Sequence, residues 1–231
     1  MAILKCAGLT KSYGRVRALE DLNIAVEPGR IVGLLGPNGS GKTTLIKLAN
    51  GLLRPSAGKI LVDGREPGVE SKKLISYLPE RTCVPDWMSG EGLMGFYGDF
   101  YGDFDRRAAE DMLARLEINP KAKLKHLSKG NREKVQLIMV MSRRARLYLL
   151  DEPIGGVDPA ARDYILGTII SNYNPEAAVV ISTHLIADVE KVLDDVIFIN
   201  HGKAILAAPA DELREQHGKS VDEVFREVFR C

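Results

Sequence analysis

The stretch "RIVGLLGPNGSGKTTLIKLANG" constrains the fold more than any other part of the sequence. An apolar run typical of a buried strand leads directly into a loop rich in glycine. The loop leads into a segment in which Leu45, Leu48 and Ala49 have helical spacing, and which stops at Asn50-Gly51. A strand, a glycine-rich loop and a helix in this order predict an α/β core with an anion-binding loop at its edge.

The loop itself fits the pattern GxxxxGK[ST], whose backbone N–H groups curl around a phosphate. Gly36, Gly39 and Gly41 are expected to adopt positive φ, which lets the backbone curl. Lys42 is expected to reach the β and γ oxygens of a nucleotide, and the Thr43 hydroxyl to ligate Mg²⁺. The predicted phosphate-binding residues are Gly36, Pro37, Asn38, Gly39, Ser40, Gly41, Lys42, Thr43 and Thr44.

Two later apolar runs end in candidate catalytic side chains. "RLYLLDEP" places Asp151 at the end of a buried strand, where a carboxylate can hold Mg²⁺. The adjacent Glu152 is either a general base for attack on the γ-phosphate or an exposed acid that caps the next turn. "AAVVISTH" places His184 at the carboxyl end of another strand, where α/β sheets bind ligands; a purely structural histidine is the alternative.

Composition excludes several classes of protein. With 231 residues, 45% of them apolar, the chain can bury a substantial core. A formal charge of +1 gives no global field for nucleic acid or anionic lipid. Cys6, Cys83 and Cys231 lack the spacing of a zinc site or a disulfide framework, which favours the cytoplasm. No apolar run approaches the roughly 18 residues that crossing a bilayer requires, so we expect no direct membrane insertion.

The order of the segments predicts the architecture. Short apolar runs separated by turns precede the loop, and "KILVDG" follows the first helix as a further strand. "DRRAAEDMLARLEI" places Ala109, Met112, Leu113 and Leu116 on one helical face, and "SVDEVFREVFR" is a helix capped by Ser220. We predict one domain over 1–231 with a P-loop α/β core, a mostly parallel sheet, an N-terminal antiparallel β subdomain and a helical subdomain inserted at approximately 85–134.

The segment "LSKGNREK" raises a separate question. Ser128 and Gly130 open a predicted helix, and a helix N-terminus attracts anions. The segment is therefore either an ordinary capped helix with a solvated basic face or a second phosphate site.

The order of "GPNGSGKTT", "LSKGN", "LLDEP", "GGVD" and "STH" resembles the ATP-binding subunit of a bacterial, efflux-like ABC transporter over nearly the whole chain. The resemblance implies ATP and Mg²⁺ as cofactors, Glu152 as catalytic base and His184 as switch histidine. It further implies that adenine stacks on Tyr13, that Asp158 links two ATP sites, and that the Glu80 loop senses the γ-phosphate, with Glu80 a possible metal ligand.

The resemblance also implies partners. Ser128 and Gly130 would meet ATP that is held by a second, identical or homologous, ATP-binding subunit in a head-to-tail dimer. A separate transmembrane permease would hold the chain at the inner face of the cell membrane and perform transport, with export favoured by the absence of an appended regulatory domain. The stretch "CVPDWMSGEGLMGFYGDFYGDF" either forms the docking groove for that permease or belongs to the helical core; its apolar side chains include Trp87, Met88, Met94, Phe96 and Tyr97.

Three residues depart from the family pattern. Lys129 and Asn131 replace the usual Gly and Gln of the signature, and Glu80 replaces Gln. We expect ATP hydrolysis to survive these changes, at the same or a reduced rate. Two other functions stay open, a soluble ATPase of this class that acts on nucleic acid or ribosomes and a nucleotide-binding regulator that does not hydrolyse. The only local support for nucleic acid is a basic cluster formed by Lys121, Lys123, Lys125, Lys129, Arg132 and Lys134.

Overall fold

A six-stranded sheet carries the loop and the candidate catalytic residues. The structure is a computed structural model that describes residues 1–155 and 159–229. In spatial order, the strands of this sheet are β5 (Ile75–Leu78), β6 (Leu147–Asp151), β7 (Ala178–Thr183), β3 (Ile31–Leu35), β8 (Asp195–Asn200) and β9 (Lys203–Pro209). The first five run parallel, and β9 pairs antiparallel with β8. The prediction of a mostly parallel sheet is therefore confirmed.

A smaller antiparallel sheet lies at the N-terminus, as the sequence predicts. Its strands are β2 (Val16–Val26), β1 (Leu4–Tyr13) and β4 (Ala57–Val62), in that spatial order. Alternate residues of β2 are buried from Leu22 to Val26, which is the pattern of a sheet with one face on the core.

Nine α-helices lie within the described parts of the chain. They are α1 (Lys42–Ala49), α2 (Val69–Leu74), α3 (Gly90–Phe100), α4 (Arg106–Arg115), α5 (Lys129–Met141), α6 (Pro159–Asn172), α7 (Ile186–Val189), α8 (Ala210–His217) and α9 (Val221–Phe229). As predicted, α1 ends at Asn50-Gly51, and Ser220 caps α9 by accepting a hydrogen bond from the Glu223 N–H at 3.2 Å. None of the described helices is long and apolar enough to cross a membrane.

Strand register brings the carboxyl ends of three buried strands to one edge. Every residue of β3, β6 and β7 is buried. Leu35 pairs with Thr183, and Asp151 pairs with Ser182, so the last residues of these strands stand side by side. This edge is where open α/β sheets bind ligands, and the glycine-rich loop leaves β3 at the same edge.

Helices α3, α4 and α5 pack around a core of their own. The predicted shared face of α4 is confirmed, because Ala109, Met112 and Leu113 are buried and Leu116 packs against them. Helix α5 continues to Met141, and Arg143, just beyond it, fastens this helical segment to the sheet. The buried Arg143 guanidinium donates to both Asp103 carboxylate oxygens, at 2.9 and 3.0 Å, and to the backbone oxygens of residues 73 and 75.

Candidate active site

The glycine-rich loop turns sharply between β3 and α1. Gly41 precedes α1 with φ of 112°, and a Cβ there would lie 2.5 Å from the Ala18 carbonyl oxygen, so only glycine fits. Gly39 also has positive φ, as expected. The expectation for Gly36 was wrong, because its φ is not positive. Glycine is needed there for a different reason, since a Cβ would collide with the carbonyl oxygen of Ile199.

Lys42 is held inside the loop rather than extended into solvent. Its side chain is 6% exposed, and Nζ donates to the carbonyl oxygens of Gly36 at 2.7 Å and Pro37 at 3.2 Å. Burial lowers the pKa of Lys42, and the nearby carboxylates of Glu152, Asp151 and Glu80 only partly offset that effect. The ammonium is hydrogen-bonded to carbonyl oxygens and lies 3.9 Å from the Glu152 carboxylate, so it can bind a phosphate over the loop.

A cavity of about 340 Å³ opens over the loop. Its lining combines loop residues with two carboxylates and comprises Ala18, Asn38, Gly39, Ser40, Gly41, Lys42, Thr43, Thr44, Glu80 and Glu152. Seven of the nine predicted phosphate-binding residues thus line one concave surface; Gly36 and Pro37 contact Lys42 instead.

Asp151 is 1% exposed at the end of β6. Its Oδ1 accepts hydrogen bonds from Ser182 Oγ at 2.8 Å and Thr43 Oγ1 at 3.2 Å, whereas Oδ2 is buried without a partner. Burial raises the pKa of Asp151, and the two hydrogen bonds only partly counter this rise. A buried polar atom without a partner is rare in proteins, so Oδ2 is a candidate ligand for a bound cation.

Glu152 follows at a strained position and is held by three contacts. Its φ is 51°, in the left-handed region. Thr183 Oγ1 donates to Oε2 at 3.0 Å, His184 Nδ1 lies 3.0 Å from Oε1, and Lys42 Nζ lies 3.9 Å from the same oxygen. A carboxylate only accepts hydrogen bonds, so Nδ1 of His184 carries the hydrogen and Nε2 is left available. The structure thus brings two of the candidate catalytic side chains, Glu152 and His184, into contact.

The oxygens at this site fit a phosphate and a hard divalent cation. Among the described residues, three buried side-chain oxygens have no hydrogen-bond partner, Ser40 Oγ, Ser142 Oγ and Asp151 Oδ2, and two of them belong to this site. A hydroxyl in the loop can donate to a phosphate oxygen, and a carboxylate beside a threonine hydroxyl provides the oxygen ligands that Mg²⁺ prefers. The residues therefore fit MgATP.

Glu80 and Lys129 border a neighbouring cavity of about 430 Å³ that also contains Glu152 and His184. Lys129 is the first residue of α5, its side chain is 77% exposed, and its nearest anionic partner is Glu133, at 3.8 Å. The Lys129 side chain is therefore exposed to solvent, at the rim of this second cavity.

The remaining predicted residues lie apart from the loop cavity. Ser128 caps α5 by accepting a hydrogen bond from the Asn131 N–H at 3.2 Å, and both Ser128 and Gly130 are exposed and outside the cavity lining. Tyr13, at the end of β1, is 47% exposed and also outside that lining. Asp158 lies outside the described residues.

Comparison with known proteins decides the family. Residues 19–155 match the family described as ABC transporter. The chain belongs to the ABC transporter family. As a member, it is an ATP-binding protein and an ATP hydrolase.

Two relatives and one solved structure show how far the likeness to ABC ATP-binding proteins extends. "ABC transporter ATP-binding protein YtrB" of Bacillus subtilis is 31% identical, over 91% of this chain and 73% of its own length. "Daunorubicin resistance ATP-binding protein DrrA3" of Streptomyces coeruleorubidus is 30% identical, over 96% of this chain and 73% of its own. A structure described as the ATP binding subunit of an ABC transporter superposes with a TM-score of 0.89, 28% identity and coverage of 98% and 99% of the two chains.

Sequence reasoning missed two hydroxyl residues at this ABC site. Ser182 and Thr183 end β7 and donate to the carboxylates of Asp151 and Glu152, respectively. The signal was present in "ISTH", where two hydroxyl residues follow an apolar run at the carboxyl end of a strand. Their partners depend on the pairing of β6 with β7, which local sequence does not encode.

Proposed function

We propose that this ABC ATPase hydrolyses ATP with Glu152 as general base and His184 as its partner. The observation that carries the proposal is the convergence of Lys42, Asp151, Glu152 and His184 on one edge of the sheet. Glu152 Oε1 takes the proton from the attacking water, while Lys42 holds the β and γ oxygens. His184 donates from Nδ1 to the carboxylate and so orients the base toward the attacking water.

Thr43 and Asp151 would hold Mg²⁺, and Glu80 would add a third oxygen ligand. The unpartnered Oδ2 of Asp151 and the position of Glu80 in the lining of the loop cavity support this set. When bound, the ion neutralises charge between the β and γ phosphates. Tyr13 would stack on adenine from the end of β1, because its ring is accessible.

We propose further that two chains face each other head to tail and share two ATP molecules. Ser128 and Gly130 are exposed at the start of a 13-residue helix, and they do not line the chain's own loop cavity. A helix N-terminus with a bare glycine can approach a phosphate closely, so these residues would complete the site of the opposite chain. ATP then favours the closed dimer, and its hydrolysis releases it.

We propose that this switch powers transport through a separate permease, which holds the chain at the inner face of the cell membrane. Residues 1–231 would form one ATPase domain, with a helical subdomain at approximately 85–134. The name of the DrrA3 relative supports export. In the aromatic stretch at 83–104, some apolar side chains belong to the helical core and others are exposed. Met94 is buried in the helical core, whereas Trp87 and Phe96 are 68% and 44% exposed.

The docking surface for the permease would lie beside this stretch. A cavity of about 470 Å³ runs along the seam between the sheet and the helical segment, where Leu52, Tyr97 and Tyr101 meet Lys72 and Arg143. Its lining contains no carboxylate among the described residues. An apolar segment of the permease with one acidic side chain opposite Lys72 would complement this surface, because Arg143 is already paired with Asp103.

The shared site is tested by the solution mass of the Glu152→Gln variant with and without ATP. Removing the base traps bound ATP, so we expect ATP to double the mass of the 25.4 kDa chain. Adding Ser128→Arg is expected to abolish the doubling. Ser89→Arg is the matched control, because Ser89 caps α3 in the same way, through the Gly92 N–H at 3.1 Å. A variant that binds ATP and stays monomeric would contradict the shared site.

A further inference from the structure

Thr183 is a buried hydroxyl residue with no part in the mechanism above. It is the last residue of β7, and its relative exposure is 0%. Its Oγ1 lies 3.0 Å from the Leu185 nitrogen and 3.0 Å from Glu152 Oε2. The two contacts place this single oxygen between the backbone of the next loop and the carboxylate of the proposed base.

The direction of each hydrogen bond follows from chemistry. The Leu185 N–H can only donate, so the Thr183 oxygen accepts there. A carboxylate can only accept, so the hydroxyl hydrogen points to Oε2 of Glu152. Both hydrogen-bonding functions of the hydroxyl are therefore used, and its rotation is fixed by the backbone.

Strand pairing makes this support rigid. The Glu152 N–H donates to the Ser182 carbonyl oxygen at 2.8 Å, so the residue before Thr183 anchors the backbone of Glu152. Backbone and side chain of Glu152 are thus both held by the end of β7. Oε2 is turned toward Thr183. Oε1 accepts the hydrogen bond from His184, lies on the side of Lys42 and the loop cavity, and keeps a second lone pair.

We propose that Thr183 is a positioning residue for hydrolysis, which holds Oε2 of Glu152 so that Oε1 meets the attacking water. This inference rests on the proposed role of Glu152 as base. A general base acts only when its proton-accepting atom is within hydrogen-bond reach of the water. Misplacing a reacting group by about 1 Å can reduce the rate about a hundredfold.

The test compares Thr183→Val with Thr183→Ser in the purified full chain. Valine keeps the shape of the side chain and removes the hydroxyl, whereas serine keeps the hydroxyl and removes the methyl. We expect kcat to fall about tenfold to a hundredfold in Thr183→Val, with KM and the affinity for a fluorescent ATP analogue within about twofold of wild type. Thr183→Ser is expected to stay within about threefold of wild-type kcat.

Thr168→Val is the matched control, because Thr168 is a threonine buried to 5% exposure in α6 and lies outside the linings of the loop cavity and the neighbouring cavity, both of which contain Glu152 and Glu80. Its kcat is expected to be unchanged. The proposal is overturned if Thr183→Val turns over within about twofold of wild type, or if Thr183→Ser is as slow as Thr183→Val.

Glu152→Gln separates this inference from the proposed function. If Glu152→Gln retains wild-type turnover, the proposed base and the role of Thr183 both fail. If Glu152→Gln is inactive and Thr183→Val is normal, only the positioning role fails. If Glu152 is the base and Thr183 positions it, adding Thr183→Val to Glu152→Gln leaves the residual turnover of Glu152→Gln unchanged. The carboxylate that Thr183 holds is already absent in that variant.

Discussion

Asp151→Asn is expected to stabilise the protein without nucleotide and to remove its response to MgATP. In the structure, Oδ1 already receives two hydrogen bonds and Oδ2 is buried with none. A buried, unsatisfied polar group costs about 1–3 kcal/mol, more when it is charged. Asparagine keeps an acceptor for Ser182 and Thr43. Its amide nitrogen stays unpaired where Oδ2 was, but the buried charge is removed, so we expect a net gain of about 1–2 kcal/mol.

The gain can be measured as a melting temperature at pH 7 in the presence of a chelator. For a chain of this length, about 1 kcal/mol shifts the melting temperature by about 2–4 °C, so the expected rise is about 2–8 °C. Asp111→Asn, at an exposed position of α4, is the matched control and is expected to have no effect. An equal or lower melting temperature for Asp151→Asn would refute the reasoning.

The gain should also depend on pH. Burial raises the folded-state pKa of Asp151 above its ordinary value of 3.8, so the folded protein binds this proton more tightly than the unfolded chain does. This contribution to stability is fully present below pH 3.8 and is lost as the pH rises through the folded-state pKa. The advantage of Asp151→Asn should therefore be largest at neutral pH and shrink on acidification.

Nucleotide provides the complementary measurement. MgATP at about 100 times its Kd should stabilise the wild type by about 2.7 kcal/mol. Asp151→Asn should lose the part of this stabilisation that depends on Mg²⁺. Full retention of it would show that Asp151 does not hold the ion.

Three further predictions concern other parts of the molecule. Arg143→Met should destabilise the protein by about 3–5 kcal/mol in denaturant titration, because it leaves Asp103 and two carbonyl oxygens unpaired. Arg144→Met, at a 76% exposed position, should cost less than about 1 kcal/mol. Gly41→Ala should abolish ATP binding in equilibrium titration, whereas Gly39→Ala, where a Cβ meets no atom within 4 Å, should weaken it less. Cys6 should resist alkylation at pH 8 until the protein unfolds, as followed by mass spectrometry, because burial raises its pKa to about 12.

Much of the fold could be predicted because the signals are local. Runs such as "RIVGLL" and "RLYLLD" predict buried strands by composition, and the glycines mark where each strand must turn. Ser128 was correctly placed at the start of a helix because capping depends on the next few residues only. Lys42, Asp151, Glu152 and His184 could be proposed as site residues from the sequence because each follows or ends such a local pattern.

The contacts that hold the site could not be predicted, because they depend on how strands pair. Thr183 meets Glu152 only when β6 and β7 are neighbours in one register. Gly36 was misjudged for the same reason, since the atom that excludes a Cβ belongs to Ile199, far along the chain. The aromatic stretch was ambiguous because one helical face, with Met94, is buried and another, with Phe96, is exposed.

In the proposed dimer, each ATP lies between the loop of one chain and the start of α5 of the other. The most direct test mixes Lys42→Ala with Ser128→Arg, each inactive alone, and measures ATP hydrolysis. A mixed dimer contains one site with Lys42 from one chain and Ser128 from the other, so the mixture should recover about a quarter of the wild-type rate. Turnover no greater than the average of the two separate variants would contradict the shared site.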